Sequence, residues 1–191
     1  DPRVRMSAAS ALGSFTGDAT AAAALTACIA QDKHEYVAGT AVSALGQTRA
    51  AGARDTVMKA VGRSSHNEFI AISALNGLAS LRDAAAIPHA TDRAKEGVNH
   101  YVRASAMGTL GSLWDWSDRR DQMAIVDTLL AHARSDMHQT RLQAFTGLSR
   151  TGDPRAGARL AAAAQSDPLG LVKSKARFMR HIDWGDSTMF D

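Results

Sequence analysis

The sequence contains little of the residues that usually mark a functional class. Its 191 residues include a single cysteine, Cys28, which excludes an internal disulfide and any multi-cysteine zinc or iron–sulfur site. Aromatic residues make up only 5% of the chain, so its hydrophobic mass comes from small side chains, alanine above all. No apolar run approaches the roughly 20 residues that cross a bilayer. We therefore expect a soluble chain, and we favour the cytoplasm as its compartment.

Neither sign of charge dominates the chain. It has 22 lysines and arginines against 19 aspartates and glutamates, a net charge of +3. A balance this mild is compatible with many partners and does not by itself indicate nucleic acid or a membrane surface. The composition therefore does not identify the class of partner, which has to be inferred from the arrangement of particular residues.

One helical pattern recurs along the sequence. In the first copy it reads Val4, Ala8, Ala11, Leu12 and Gly13, the i, i+4, i+7, i+8 spacing of one helix face. Its central alanine returns as Ala41, Ala74, Ala106, Ala144 and Ala176, so four of the five intervals are 32 or 33 residues and one is 38. A fixed period of this length indicates stacked helical repeats.

The period predicts an all-α fold, a right-handed α-solenoid of about six two-helix repeats. We expect the solenoid over residues 1–182 and a tail or cap over residues 183–191. The repeats are expected near residues 1–31, 32–64, 65–97, 98–135, 136–166 and 167–182. Because the chain opens within the pattern and without an initiator methionine or apolar leader, we expect it to be a fragment of a longer protein.

Turn and cap residues predict where the helices begin and end. A glycine follows the leucine in three copies, Gly13, Gly46 and Gly111, and we expect it to end the first helix in a left-handed conformation. The second helices are expected to begin after the capping residues Asp18, Asp83, Ser117 and Asp153. Pro88 predicts that the second helix of the third repeat either begins near it after a preliminary turn or is kinked there.

Two phrases carry a resemblance to a known family. Asp1-Pro2-Arg3-Val4-Arg5 and Gly152-Asp153-Pro154-Arg155-Ala156 resemble the short HEAT repeats of the phycobilisome-lyase type, and the resemblance covers residues 1 to about 180. Ankyrin and tetratricopeptide repeats have a similar length. Their motifs are missing, since no copy contains Thr-Pro-Leu-His and the Leu-Gly pair stands where a tetratricopeptide helix would continue.

A narrower resemblance lies in residues 65–88, from Ser65-His66-Asn67-Glu68-Phe69-Ile70 to Ala86-Ile87-Pro88. This stretch resembles the helical-repeat segment that follows the catalytic domain in some bacterial M1-type zinc aminopeptidases. The resemblance implies a domain that caps or flanks the peptide-binding cavity, with the metal and the catalytic groups upstream. No catalytic role is therefore carried over to any residue of this chain.

Motifs for catalysis and metal binding are incomplete. The string His34-Glu35-Tyr36-Val37-Ala38 has alanine where a zinc protease needs its second histidine, so we interpret it as a solvated helix start. The seven histidines show no pair at metal-ligand spacing. Phosphate loops and nucleotide fingerprints are also missing. We predict no catalytic, cofactor or metal site.

Two features suggest a binding surface for a partner. Trp114, Asp115 and Trp116 lie in the one inserted loop, where exposed rings beside a carboxylate could stack on a peptide or a base; the alternative is that one or both rings cover the core. Residues 141–181 contain eight arginines and lysines against two aspartates, a net charge of +6. Within that stretch Arg141, Lys173, Lys175 and Arg177 are candidates for binding an acidic partner, or they form a solvated helix face.

We expect a non-catalytic scaffold or interaction module, placed as the C-terminal domain that flanks the catalytic domain of an M1-like aminopeptidase. Its partner would be a protein or peptide, or an upstream domain of the same chain. One alternative is a free-standing protein–protein adaptor. Another is a nucleic-acid-binding HEAT-like protein of the alkylpurine DNA glycosylase type, which this chain resembles in its tryptophans, aspartate and basic surface. A bilin lyase or isomerase would rest on the repeat type alone.

Overall fold

The computed structural model describes residues 1–180, and the expected tail at residues 183–191 lies outside the described residues. The described part contains eleven α-helices and three 3₁₀ turns, and no strand. The all-α prediction is confirmed. None of the described helices is long and apolar enough to cross a membrane.

The first ten helices follow one another in pairs along the chain, and the eleventh stands where the first helix of a sixth pair begins. The first six are α1 (Pro2–Leu12), α2 (Ala19–Gln31), α3 (Glu35–Thr48), α4 (Ala53–Ala60), α5 (Phe69–Leu81) and α6 (Ile87–Ala94). The other five are α7 (His100–Leu113), α8 (Arg119–His132), α9 (His138–Leu148), α10 (Pro154–Ser166) and α11 (Gly170–Arg180). We call the first helix of each pair a first helix and the other a second helix.

The chain forms two compact units, Asp1–Asp92 and Arg93–Asp191. In the first unit the first helices α1, α3 and α5 pack side by side, and α2 and α4 contact α3. In the second unit α7, α9 and α11 form the corresponding row, and α8 and α10 contact it. Within each unit, therefore, the first helices provide most of the contact between repeats.

The repeated alanine lies at the centre of this packing. In copies two to six it has no exposed surface: Ala41, Ala74, Ala106, Ala144 and Ala176. The leucine four residues later is also fully buried in copies two to five, as Leu45, Leu78, Leu110 and Leu148. A small side chain at the centre lets neighbouring helices approach, while the leucine beside it supplies most of the apolar area removed from water.

The prediction that glycine ends the first helices is wrong for the glycines of copies two and four. Gly46 lies inside α3, which continues to Thr48 and ends before Arg49 in a left-handed conformation with φ 50°. Gly111 likewise lies inside α7. Gly13 does follow α1, but its φ of −62° is right-handed.

These glycines instead allow helices to approach closely. A Cβ at Gly46 would lie 2.5 Å from the Cα of Gly77, and a Cβ at Gly111 would overlap the Cα of Gly147. A spacing this short is open only to residues without a side chain, because interiors are close-packed and have no room for the extra atom. The glycines therefore set the distance between first helices.

The predicted helix starts are confirmed at three positions. The carboxylates of Asp18, Asp83 and Asp153 accept hydrogen bonds from backbone N–H groups at the starts of their helical segments. Ser117 is the exception, since Asp118 caps α8 and the Ser117 hydroxyl donates to the carbonyl of Leu113. Pro88 lies at the beginning of α6, after the 3₁₀ turn Ala84–Ala86, where a missing backbone donor costs little.

Candidate functional site

The first helices α3 and α5 run in the same direction and in register. Near their starts, the N–H of His66 donates to the Glu35 carboxylate at 2.8 Å. Near their ends, the Arg49 guanidinium donates to the carbonyl of Ser80 at 3.0 Å. Residues that are one repeat apart in sequence therefore lie beside each other across the packed first helices.

Polar side chains without charge form two rows across the first helices of the first unit. The rows are Ser10, Ser43 and Asn76, and Ser14, Gln47 and Ser80, each with a spacing of 33 residues. All six side chains are exposed or half-buried. We call these six residues the polar rows. They place hydroxyl and carboxamide groups, which both donate and accept hydrogen bonds, on one surface of the unit.

The polar rows differ in how strongly they are held by the fold. The hydroxyl of Ser14, in the turn after α1, donates to the carbonyl of Ala11, and the hydroxyl of Ser80 donates to the carbonyl of Asn76 within α5. The carboxamides of Gln47 and Asn76 make no side-chain hydrogen bond within residues 1–180. These two amides are therefore available to a ligand.

An aromatic pair borders the polar rows at the helix starts. The rings of Tyr36 and Phe69 pack with their centroids 4.6 Å apart, and the imidazole of His34 lies 5.8 Å from the Tyr36 ring. Phe69 can lie this close to α3 because its ring occupies the space that a side chain at Gly39 would fill. We call Tyr36 and Phe69 the aromatic edge.

The sequence reasoning missed both the polar rows and the aromatic edge. It followed only the apolar positions of the repeat and interpreted His34 and Glu35 as a solvated helix start. The signal was nevertheless present, because Tyr36 and Phe69 each stand five residues before the repeated alanine. Serine, threonine or asparagine likewise recurs two residues after it in several copies.

The three residues of the inserted loop form a 3₁₀ turn between α7 and α8. Trp114 is half-buried, and its carbonyl accepts a hydrogen bond from the Gln122 side chain at 3.2 Å. Asp115 is exposed and Trp116 is 47% exposed. The turn thus leaves Trp114 half-buried and Trp116 at the surface, and the role of both residues in partner binding stays a prediction.

Arg141 does not lie on an open basic face, contrary to the arrangement considered from the sequence. It is only 7% exposed, and its guanidinium donates to both carboxylate oxygens of Asp167 at 2.9 and 3.0 Å. It also donates to the carbonyls of Ser135 and Asp136. Because every one of these contacts is internal, Arg141 stabilises the fold and leaves the candidate surface.

The buried carboxylate of this pair is stabilised in its charged form. Burial alone would raise the pKa of Asp167, but hydrogen bonds from Arg141 and from the Leu169 N–H outweigh it, so the pKa lies below its ordinary value. The pair joins α9 to the loop before α11. It is a link between two consecutive repeats of the second unit.

The remaining basic candidates lie on α11. Lys173 is half-buried, whereas Lys175 and Arg177 are exposed. The Arg177 side chain also donates to the carbonyl of Ala164 at 3.2 Å. Other arginines of this stretch are engaged within the fold, as Arg155 is with Asp153 and Asp127. Arg141 and Arg155 are therefore paired with aspartates, whereas Arg150, Lys175 and Arg177 remain exposed without such a partner in the described residues.

Groups with the chemistry of a metal or nucleophile site do not gather in the described part of the chain. No three histidine, cysteine, aspartate or glutamate side chains within residues 1–180 come together as metal ligands. Burial and the neighbouring Asp32 raise the pKa of the Cys28 thiol, although Arg5 opposes them. The thiol is thus held in its less nucleophilic protonated form.

The fold and the repeat residues agree with a protein-family model. The model for HEAT repeats matches residues 1–46 and 23–111, which together cover residues 1–111, more than half of the chain. The chain belongs to the HEAT repeat family. A search of the curated proteins found no match.

Solved structures show the same architecture. The complex of CpcE and CpcF of phycocyanin lyase from Nostoc sp. PCC7120 matches with a TM-score of 0.68 and 22% identity, over 85% of this chain and 99% of that chain. A designed armadillo repeat protein in complex with the peptide (KR)4 matches with a TM-score of 0.62 and 12% identity, over 93% and 90% of the two chains. The predicted α-solenoid of HEAT-like repeats is confirmed.

Proposed function

We propose that this chain is a non-catalytic HEAT-repeat interaction module that holds an extended segment of a partner protein on the polar rows. The observation that carries the proposal is the alignment of uncharged hydrogen-bonding side chains, one set per repeat, across the packed first helices of the first unit. The aromatic edge beside them offers apolar area for a side chain of the same segment.

The spacing of the rows suits an extended chain. Packed helices lie roughly 8–10 Å apart, and an extended chain advances about 3.3 Å per residue. A peptide that crosses the first helices would therefore meet a new set of polar side chains at about every third residue. The carboxamides of Gln47 and Asn76 can donate to its carbonyls and accept from its N–H groups. This is recognition of a main chain, with the aromatic edge adding preference for a side chain.

The charge distribution favours a protein partner over nucleic acid. Nucleic-acid affinity depends on neutralising phosphates with lysine and arginine, yet the polar rows carry no charge. In the second unit Arg141 and Arg155 are paired with aspartates inside the same unit. Two of the similar solved structures are described as complexes with a protein or a peptide, which supports the same class of partner here.

Placing a charged, bulky side chain in the polar rows should remove binding. A peptide-display selection on the immobilised 191-residue chain would first yield binding peptides, and fluorescence anisotropy would then measure their affinity. Asn76→Arg and Ser43→Arg are each expected to weaken binding at least about tenfold, because a tenfold loss needs only about 1.4 kcal/mol of blocked contact. Ala27→Arg is the matched control, since Ala27 is exposed on the second helix α2.

Peptides that bind Asn76→Arg as tightly as the unchanged chain would contradict the proposed surface. Duplex DNA retained at low salt and released steeply with added salt would favour the nucleic-acid alternative instead. Hydrolysis of a peptide substrate by the purified chain would contradict the non-catalytic role.

We further propose that the module flanks the catalytic domain of an M1-like aminopeptidase. The support is the resemblance in residues 65–88, which form the 3₁₀ turn His66–Glu68, the helix α5 and the beginning of α6. In that setting the module would border the route of peptides to the catalytic domain. The complete coding sequence tests the idea: a zinc-protease signature upstream supports it, and its absence leaves the free-standing adaptor.

A further inference from the structure

The helices α1 and α3 carry the same residues at the same positions of the repeat. In α1 and directly after it they are Val4, Ala8, Ala11, Leu12 and Gly13, and in α3 they are Val37, Ala41, Ala44, Leu45 and Gly46. The surroundings of the valine and the two alanines are opposite in the two copies. Val37 has no exposed surface, whereas Val4 is 67% exposed.

The contrast extends to the two alanines, whereas Leu12 is half-buried and Gly13 is buried. Ala8 and Ala11 are exposed, although Ala41 and Ala44 are buried. Three residues after the leucine, Phe15 is 55% exposed, although Thr48 at the same position of the next repeat is fully buried. We call the α1 residues Val4, Ala8 and Ala11, together with Phe15 in the turn that follows α1, the α1 face. All four of these apolar side chains are in contact with water.

The equivalent faces of α3 and α5 show which elements cover such a face. The helices α1 and α2 pack against α3, and the α3 face is buried there. The next repeat follows the same rule, because α3 and α4 pack against α5 and bury Ile70 and Ala74. In α3 and α5, therefore, a face at these repeat positions is the surface on which the preceding helix pair stacks.

We infer that the α1 face is a stacking interface, and that its occupant is a further two-helix HEAT-like repeat of the same polypeptide. That repeat lies on α1 in the register in which α1 and α2 lie on α3. Its first helix presents small residues towards Ala8 and Ala11, as α1 itself does towards α3. Repeat arrays draw much of their stability from such interfaces between neighbours.

A second copy of the chain fits the α1 face less well. Two α1 faces packed together would bury one side of an 11-residue helix, about 16 Å long at 1.5 Å per residue. A stable interface buries roughly 800 Å² on each partner, far more than one short helix provides. A helix pair that continues the array covers the face from two sides and adds its own contacts.

The inference can be tested by giving the chain a repeat that is known to fit. A copy of residues 1–33 is placed before Asp1, so that α1 stands behind a helix pair identical to the one that covers α3. Thermal unfolding of the two chains is then compared. The longer chain is expected to unfold at a temperature about 5 °C higher, the shift of one good inter-repeat interface in a chain of this size.

A substitution in the face then shows whether the added repeat occupies it. Val4→Asp should change the unfolding temperature of the original chain by less than about 1 °C, because an exposed side chain contributes little. In the longer chain the same change should lower it by about 5 °C or more, since it buries an unpaired carboxylate. Hydrogen exchange of the α1 amides provides a second measurement, with protection expected to rise at least about tenfold in the longer chain.

Two results would overturn the inference. One is an added repeat that raises neither the unfolding temperature nor the protection of α1, with Val4→Asp harmless in both chains. The other is an original chain that sediments as a dimer and becomes monomeric with Val4→Asp, which would assign the α1 face to a second copy.

Discussion

Replacing Gly111 with alanine is expected to destabilise the protein by about 3 kcal/mol, a large part of the stability of a typical domain. The new Cβ would overlap the Cα of Gly147 and lie 3.0 Å from its carbonyl oxygen, so α7 and α9 must move apart. That movement would open gaps along a face where Leu110 and Leu148 have no exposed surface. Urea unfolding followed by circular dichroism measures the loss.

The matched control lies on the same helix, three residues earlier. A Cβ at Gly108 would meet only the Gln143 side-chain oxygen, at an ordinary 3.4 Å. Gly108→Ala should therefore leave packing intact and stabilise the protein by up to about 1 kcal/mol, the helix preference of alanine over glycine. Equal effects of the two substitutions would show that contact between α7 and α9 does not depend on glycine.

Replacing Arg141 with methionine is expected to destabilise the protein by about 3–5 kcal/mol, the usual effect of breaking a buried ion pair. The substitution removes both hydrogen bonds to Asp167, whose side chain is only 3% exposed, and leaves that carboxylate without its partner. Arg155→Met is the control. Arg155 pairs with Asp127 at the surface, where an ion pair contributes about 0–1 kcal/mol.

Lowering the pH should remove the contribution of the Arg141–Asp167 pair to the stability of the protein. Because the folded pKa of Asp167 is depressed, its contribution to stability is complete above the unfolded pKa of roughly 3.9 and is lost as the pH falls through the lower folded value. Stability should therefore decrease below about pH 4. In Arg141→Met the carboxyl has lost the partner that lowers its pKa, so less stability should remain to be lost over that acid range. An unchanged acid profile would contradict this account of the pair.

The proposed binding surface was recoverable from the sequence only in part. The repeat period places Ser10, Ser43 and Asn76 at equivalent positions, so their alignment follows from the intervals between repeats. Their ability to contact one ligand together does not follow from those intervals. It depends on first helices packing side by side with their ends in register, as the contact of Glu35 with the N–H of His66 shows.

The sequence by itself determined the helical class, the repeat period, the buried alanine and most helix starts. These are local properties, since apolar spacing selects a helix face and a capping side chain acts within three residues of its own position. They could be identified before any neighbour was known.

The tertiary structure alone decided which repeated residues meet. Gly111 resembles a helix-ending glycine until α9 is seen against it, and Arg141 resembles a surface charge until Asp167, 26 residues later, is found at its guanidinium. Val4 and Val37 occupy the same position of the repeat, yet one is exposed and the other buried. The physical reason is common to all three: burial and pairing are set by what packs on a residue from a distant part of the chain, and the local pattern carries no record of it.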